Sequence, residues 1–122
     1  MNRDLATDYF RNYFTIADYV AGEAVSWEVA SQSLRPFLED YLRQRFPGEF
    51  ATDDWLGAMV DRIDSAGPTS SLACMKPNLP DIRAIARATN PRHHGSTHAS
   101  GDESLNATST ELYGKKVLKM VG

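Results

Sequence analysis

The sequence has a single cysteine, Cys74, and no run of 18 apolar residues. One cysteine excludes an internal disulfide, and a lone thiol outside a motif is most often a small apolar residue. The missing apolar run argues against a transmembrane helix. The first residues also lack the charged stretch and apolar run of a signal peptide, so we expect a cytoplasmic protein that contacts no membrane.

Several enzyme signatures are absent as well. The sequence contains no GxxxxGK[ST] loop, no GxGxxG, no GxSxG nucleophile elbow, no CxxC and no HExxH. These absences argue against P-loop enzymes, dinucleotide-binding enzymes, serine hydrolases with a nucleophile elbow and zincin-type metalloproteases. No segment shows the alternating pattern of a strand, and there is no internal repeat.

The composition is that of an ordinary globular protein, with 122 residues, 42% of them hydrophobic and 24% charged. Because this length is close to the commonest domain size, we expect a single domain over residues 1–122. The net charge of −3 is distributed unevenly. Residues 1–66 carry 6 Arg and 12 acids, whereas residues 67–122 carry 7 Lys or Arg and 4 acids. The second half is therefore the part expected to face an anion.

Apolar residues recur at three- and four-residue spacing in five segments, which predicts an all-α bundle of about five helices. The first helix carries an aromatic stripe that we expect to be core, and the second contains Pro36, which predicts a kink or a short break near Ser33. The predicted helices are Asp4 to Ala21, Ser26 to Phe46, Thr52 to Ala66, Pro80 to Asn90 and Thr108 to Val121.

Capping residues and loops complete this prediction. Thr52 is the expected N-cap of the third helix, in which Trp55 shares an apolar side with the core residues, and Thr108 to Glu111 has the pattern of a capping box. The Ser-, Thr- and Pro-rich stretch from Gly67 to Pro77 predicts a loop with a short turn inside it. The stretch from Arg92 to Asn106 predicts a long polar loop before the last helix.

One pair of residues in the second helix could carry chemistry. Arg35 and Glu39 are four residues apart, which places them on the same face of a helix. Taken alone, this spacing is typical of a surface ion pair.

A second candidate follows the fourth helix, where His93, His94 and His98 are all the histidines that the protein has. That helix also presents Arg83 and Arg87 on one side. Clustered imidazoles suit general acid–base catalysis because their ordinary pKa lies near neutral pH. A metal site is the weaker interpretation, since no carboxylate or cysteine accompanies them at a fixed spacing, and a solvated polar loop is the plain alternative.

Three features together resemble a known family. They are the run LRPFLEDYLRQRFPG from Leu34 to Gly48, the run WLGAMVDRI from Trp55 to Ile63, and the histidine pair before a polar loop and a final helix. They resemble the C-terminal region of AAA/ABC ATPases of the anticodon-nuclease type. In that family an N-terminal ATPase controls an all-helical nuclease module, grouped with the HEPN ribonucleases. The resemblance extends roughly over residues 26–121 and implies an HEPN-like helical domain.

The resemblance also implies a catalytic site. The family's activity is assigned to an Arg-x-x-x-Glu pair with a distant histidine, which fall here on Arg35, Glu39 and either His93 or His94. HEPN ribonucleases more widely use an Arg, four to six residues, and then a His, and Arg87 with His93 also fits that spacing.

The implied function is a metal-independent endoribonuclease of a toxin or defence system, without a cofactor, acting on tRNA or another structured RNA. Arg87 and Arg92 would bind the RNA. A histidine would take the proton of the 2′-hydroxyl or protonate the leaving oxygen, and Arg35 would stabilise charge on the phosphate. Glu39 would orient Arg35 or a histidine.

The expected partners are RNA, a second copy of the chain in a homodimer, and a separate regulatory ATPase or partner protein. A non-catalytic helical interaction module on the same scaffold is the alternative, because a shared core pattern carries fold further than function.

Overall fold

The structure, a computed structural model, describes residues 3–90 and 105–122 and contains only helices and turns in these ranges. The all-α bundle of five helices is therefore confirmed. The predicted polar loop from Arg92 lies outside the described residues except for its last two positions. In chain order the elements are α1 Arg3–Val20, α2 Trp27–Arg45, α3 Leu56–Ser65, a 3-10 helix Ser71–Asn78, α4 Leu79–Ala88 and α5 Ala107–Val121.

The second helix, α2, organises the bundle because it contacts all four other α-helices. α1 and α5 also pack against each other, while α3, α4 and the 3-10 helix form a second group. The apolar stripe of α2 is fully buried between these groups, and each such side chain contributes roughly 1.5–3 kcal/mol of transfer free energy. Its fully buried large residues are Leu34, Phe37, Leu38 and Leu42.

Of the four aromatic residues that form the stripe on α1, two pack against the core and two are exposed. Tyr9 stacks on Phe37 with ring centroids 4.9 Å apart, and Tyr13 lies 5.9 Å from the same ring. Phe10 and Phe14, by contrast, are 55% and 56% exposed, so the prediction that they are core is wrong. Successive residues of a helix point about 100° apart, and the four aromatic positions therefore form two adjacent strips, of which one faces α2.

The start of α2 agrees with the prediction, whereas the start of α5 differs from it. Ser26 caps α2 as expected, through a 3.2 Å bond from the Val29 N–H, and α2 continues through Pro36 without a break. The capping box of α5, however, joins Asn106 and Ser109 and not Thr108 and Glu111.

The start of α3 and the segment that precedes α4 also differ from the predictions. α3 starts after Trp55 rather than after Thr52, and Trp55 is 45% exposed instead of belonging to the apolar side of the helix. Much of the predicted loop between residues 67 and 77 is the 3-10 helix, which buries Leu72 and Met75. No helix of the described ranges combines the length and the apolar content that crossing a membrane requires.

Candidate functional site

Arg35 and Glu39 lie on one face of α2, as their spacing predicts. Arg35 Nη1 is 3.5 Å from Glu39 Oε2, and the two side chains are only 14% and 17% exposed. The pair is therefore largely buried and is not the surface ion pair that the spacing alone would suggest. Removing water from a charged pair costs free energy, which further hydrogen bonds must offset.

The guanidinium of Arg35 makes those bonds at the carboxyl end of α4. Arg35 Nη2 donates to the carbonyl oxygen of Ala86 at 2.6 Å, and Nε donates to the carbonyl and the hydroxyl oxygen of Thr89 at 3.2 and 3.1 Å. The last carbonyls of a helix have no partner inside the helix, and a cation stabilises them. Burial lowers the pKa of the Arg35 guanidinium, while Glu39 raises it. An arginine nonetheless stays protonated in proteins.

The carboxylate of Glu39 caps the amino end of α3. Its Oε2 accepts the backbone N–H of Leu56, the first residue of α3, at 2.8 Å. Trp55 occupies the N-cap position and supplies no side-chain cap of its own. A negative charge also suits the positive end of a helix dipole. The pair on α2 thus fixes where α3 begins and where α4 ends.

A cleft of about 380 Å³ opens between α3 and α4 beside this pair. Its volume falls in the range of small-molecule sites, roughly 300–1,000 Å³. The residues that α4 contributes lie at the three- and four-residue spacing of one helix face. The lining residues are Arg35, Trp55, Gly57, Ala58, Val60, Asp61, Arg83, Ala86, Arg87 and Asn90.

The cleft is lined by three arginines and one acid. Arg83 forms an ion pair with Asp64 at 3.4 Å and stays 38% exposed, and Arg35 is paired with Glu39 as described. Arg87 is exposed, and no carboxylate of the described ranges lies within ion-pair distance of it. This set of side chains suits an anionic ligand better than a cation. Within the same ranges, no three His, Cys, Asp or Glu side chains gather where they could hold a metal ion.

The structure brings three of the predicted site residues together: Arg35 and Glu39 touch, and Arg87 lines the same cleft. The other predicted site residues, Arg92, His93 and His94, lie outside the described residues.

Trp55 and Asp61 line the cleft although the sequence pattern assigns neither of them to a site. The pattern predicts Trp55 to be core because it shares the apolar side of the predicted third helix, and nothing local shows that α3 begins after it. Comparison of the chain with protein-family models, with curated proteins and with solved structures gave no match.

Proposed function

We propose that the chain is a metal-independent endoribonuclease module whose cleft between α3 and α4 holds the phosphate that is cleaved. One observation carries the proposal: Arg35, Arg83 and Arg87 line a single cleft beside the last turn of α4. Guanidinium groups bind phosphate through two parallel N–H bonds, and they stabilise the charge that develops on its oxygens during cleavage.

Arg35 can serve both as a helix cap and as a phosphate ligand. Its contacts with Glu39, Ala86 and Thr89 take one N–H direction on each of its three nitrogens. A guanidinium has five N–H groups, so two remain for a phosphate in the cleft that Arg35 lines. Glu39 acts in this proposal as a positioning residue, because its carboxylate is already held by Arg35 and by the backbone of Leu56.

The acid–base group of the proposal is a histidine after α4, either His93 or His94. In the sequence His93 follows the cleft residue Asn90 by three positions, and three residues span at most about 10 Å. The histidine takes the proton of the ribose 2′-hydroxyl or gives one to the leaving oxygen. The 2′-oxygen then forms a bond to phosphorus while the bond to the 5′-oxygen breaks. The products are a 2′,3′-cyclic phosphate and a 5′-hydroxyl, so DNA cannot be a substrate.

Two parts of the proposal rest on the family resemblance alone. They are tRNA as the substrate and a separate ATPase or partner protein that controls the chain. The cytoplasm as the place of action rests on the expectation from the first residues of the sequence.

The test is a cleavage assay with bulk tRNA in excess EDTA. We compare the wild type with His93→Ala, His94→Ala and Arg87→Ala. Lys115→Ala is the control, because Lys115 is exposed, pairs with Glu111 on α5 and does not line the cleft. Removing the acid–base histidine should lower the rate by about 10²–10⁴-fold, and Lys115→Ala should leave it unchanged. Cleaved ends must carry the cyclic phosphate. A folded wild type that leaves the RNA intact, or a rate that EDTA abolishes, would reject the proposal.

A second candidate function, a non-catalytic interaction module, is favoured by the two exposed rings of α1. Phe10 and Phe14 are one helical turn apart and more than half exposed, and exposed apolar patches often mark protein contacts. We propose a second copy of the chain as the partner at this face. Dimerisation without any cleavage would support this second function over the first.

A further inference from the structure

We infer that the cleft between α3 and α4 takes one unpaired nucleotide of a single-stranded RNA, with its base on the indole of Trp55 and its phosphate on Arg83 and Arg87. The inference rests on the proposed function, because it names the substrate class of the same site. It uses residues that the described ranges contain and can be tested without any cleavage step.

The base end of the cleft is the indole of Trp55. This side chain lines the cleft and is 45% exposed, although tryptophan is usually well buried. Its backbone is extended, with φ −96° and ψ 170°, so it stands just before α3 and not within the helical stripe. Gly57 and Ala58, two and three residues further along the chain, line the cleft without bulky side chains. An exposed indole beside such a floor offers a flat face for stacking, and every base has a matching π-face.

The phosphate end of the cleft is the exposed face of α4. Arg83 and Arg87 are four residues apart and therefore neighbours on that face. Arg83 is partly neutralised by Asp64, whereas Arg87 has no carboxylate partner among the described residues. Arg87 thus keeps one positive charge that no ion pair of the described residues neutralises, which suits a single phosphodiester with one negative charge. The carboxylate of Asp61, also in the cleft, can accept a hydrogen bond from a base N–H or a ribose hydroxyl but repels further phosphates.

The shape of the cleft favours a single strand over a duplex. Its volume of about 380 Å³ lies between two helices of ten residues each, which are roughly 15 Å long. Double-stranded RNA is recognised across successive grooves, and its bases are stacked on one another inside the helix. A base can reach the face of Trp55 only when it is unstacked from its neighbours, as in a loop, a bulge or a free end.

The test measures binding by the tryptophan fluorescence of the full chain. Trp27 and Trp55 are the two tryptophans, so Trp27→Phe leaves Trp55 as the tryptophan that reports binding. The probe is an adenosine oligoribonucleotide of about six nucleotides with 2′-O-methyl groups, which blocks the 2′-hydroxyl and hence cleavage. Quenching with the single strand is expected, and duplex or inorganic phosphate at the same concentration should leave the signal unchanged. Trp55→Ala, followed by anisotropy of a labelled probe, should weaken binding about tenfold, and Trp55→Phe should restore most of it.

The phosphate contacts have their own readout. Arg87→Ala should weaken binding and lower the slope of log Kd against log salt concentration by about 0.7, the value of one phosphate contact on a single strand. Lys115→Ala, which removes the same charge from α5, should change neither quantity. Equal affinity for the duplex, equal quenching by inorganic phosphate, or unchanged binding in Trp55→Ala would overturn the inference. Tight binding of the blocked probe by a protein that cleaves no natural RNA would uphold the inference and reject the nuclease.

Discussion

Arg35 and Glu39 stand one turn apart on α2, and each side chain caps the end of a different helix. Arg35 donates to the carbonyls of Ala86 and Thr89 at the end of α4, and Glu39 accepts the first N–H of α3 from Leu56. A pair with the spacing of a catalytic motif is thus also the contact that holds α3 and α4 at the sides of the cleft. Variants of this pair change folding as well as any chemistry, and stability must be measured beside activity.

The first prediction concerns the arginine. Arg35→Ala should lower the free energy of unfolding by about 2–4 kcal/mol, because in a largely buried site it leaves Glu39 without its cation and the carbonyls of Ala86 and Thr89 without their donor. Arg35→Lys should cost less, because an ammonium keeps the charge. Some loss of stability should remain, because an ammonium cannot reach all these acceptors at once. The measurement is urea denaturation followed by circular dichroism. Arg11→Ala is the control: its pair with Asp8 is exposed and should contribute less than about 1 kcal/mol. Equal costs for Arg35→Ala and Arg11→Ala would contradict the capping role.

The second prediction separates the cap from the ion pair. Glu39→Gln keeps an oxygen that accepts the Leu56 N–H but loses the charge, whereas Glu39→Ala loses both. We expect Glu39→Ala to cost about 1 kcal/mol more than Glu39→Gln, the usual contribution of an N-cap. A double-mutant cycle of Glu39→Gln with Arg35→Met, in which each single change removes one of the two charges, then measures the charge interaction. If Gln and Ala destabilise the protein equally, the bond to α3 contributes nothing to stability.

Local pattern predicted the helices well, because the apolar spacing of α2 and its Ser26 cap depend only on residues that are close in sequence. It failed where the partner comes from elsewhere in the chain. Thr52 looks like the N-cap of α3, but Asp54 binds the backbone of Ala51 in a preceding turn, and the cap comes from Glu39. No local signal shows that a carboxylate 17 residues earlier will meet this helix end.

The candidate site, like the helices, was predictable only where it depends on residues that are close in sequence. The four-residue spacing of Arg35 with Glu39, and of Arg83 with Arg87, is visible in the sequence. That these two helix faces converge on one cleft depends on how α2 packs against α4, which spacing does not determine. Trp55 could not be assigned to the cleft for the same reason, since its exposure follows from the shifted start of α3.

The third prediction tests the packing of α5 on α1. A Cβ added at Gly114 would lie 2.9 Å from Val20 Cγ2 and 3.4 Å from Ile16 Cγ2. Because β-branched side chains have few alternative rotamers, Gly114→Ala should destabilise the protein by about 1–2 kcal/mol. The matched control is Gly57→Ala in α3, where a Cβ meets nothing within 4 Å. That change should raise the free energy of unfolding by about 0.5–1 kcal/mol, so the two urea midpoints should move in opposite directions.

The fourth prediction concerns the exposed rings of α1. The double variant Phe10→Ser and Phe14→Ser should abolish the proposed dimer, measured by sedimentation equilibrium, and should leave the helix content unchanged because these rings are more than half exposed. Leu112→Ser on α5, which removes a side chain that is 51% exposed, is the control and should leave the dimer intact. A monomeric wild type, or a double variant that dimerises as the wild type does, would contradict dimerisation through α1.

The last prediction is a pH dependence at Asp40, whose side chain is 27% exposed and pairs with Arg43 at 3.3 Å. Burial raises the pKa of Asp40, Glu39 and Asp8 add to the rise, and Arg43 opposes it. The folded state therefore holds this proton more tightly than the unfolded state. The contribution of Asp40 to stability is fully present below the unfolded pKa, near 3.9, and is lost as the pH rises through the higher folded pKa.

Asp40→Asn removes that titration and should therefore be more stable relative to the wild type at pH 6 than at pH 3.5. At neutral pH the lost ion pair with Arg43 opposes this gain, and we expect a net difference of less than about 1 kcal/mol. Urea denaturation of both proteins at several pH values between these limits gives the comparison, with Asp53→Asn, an exposed acid, as the control for the loss of one negative charge. A difference that stays constant over this range, or one that moves in favour of the wild type as the pH rises, would contradict the raised pKa.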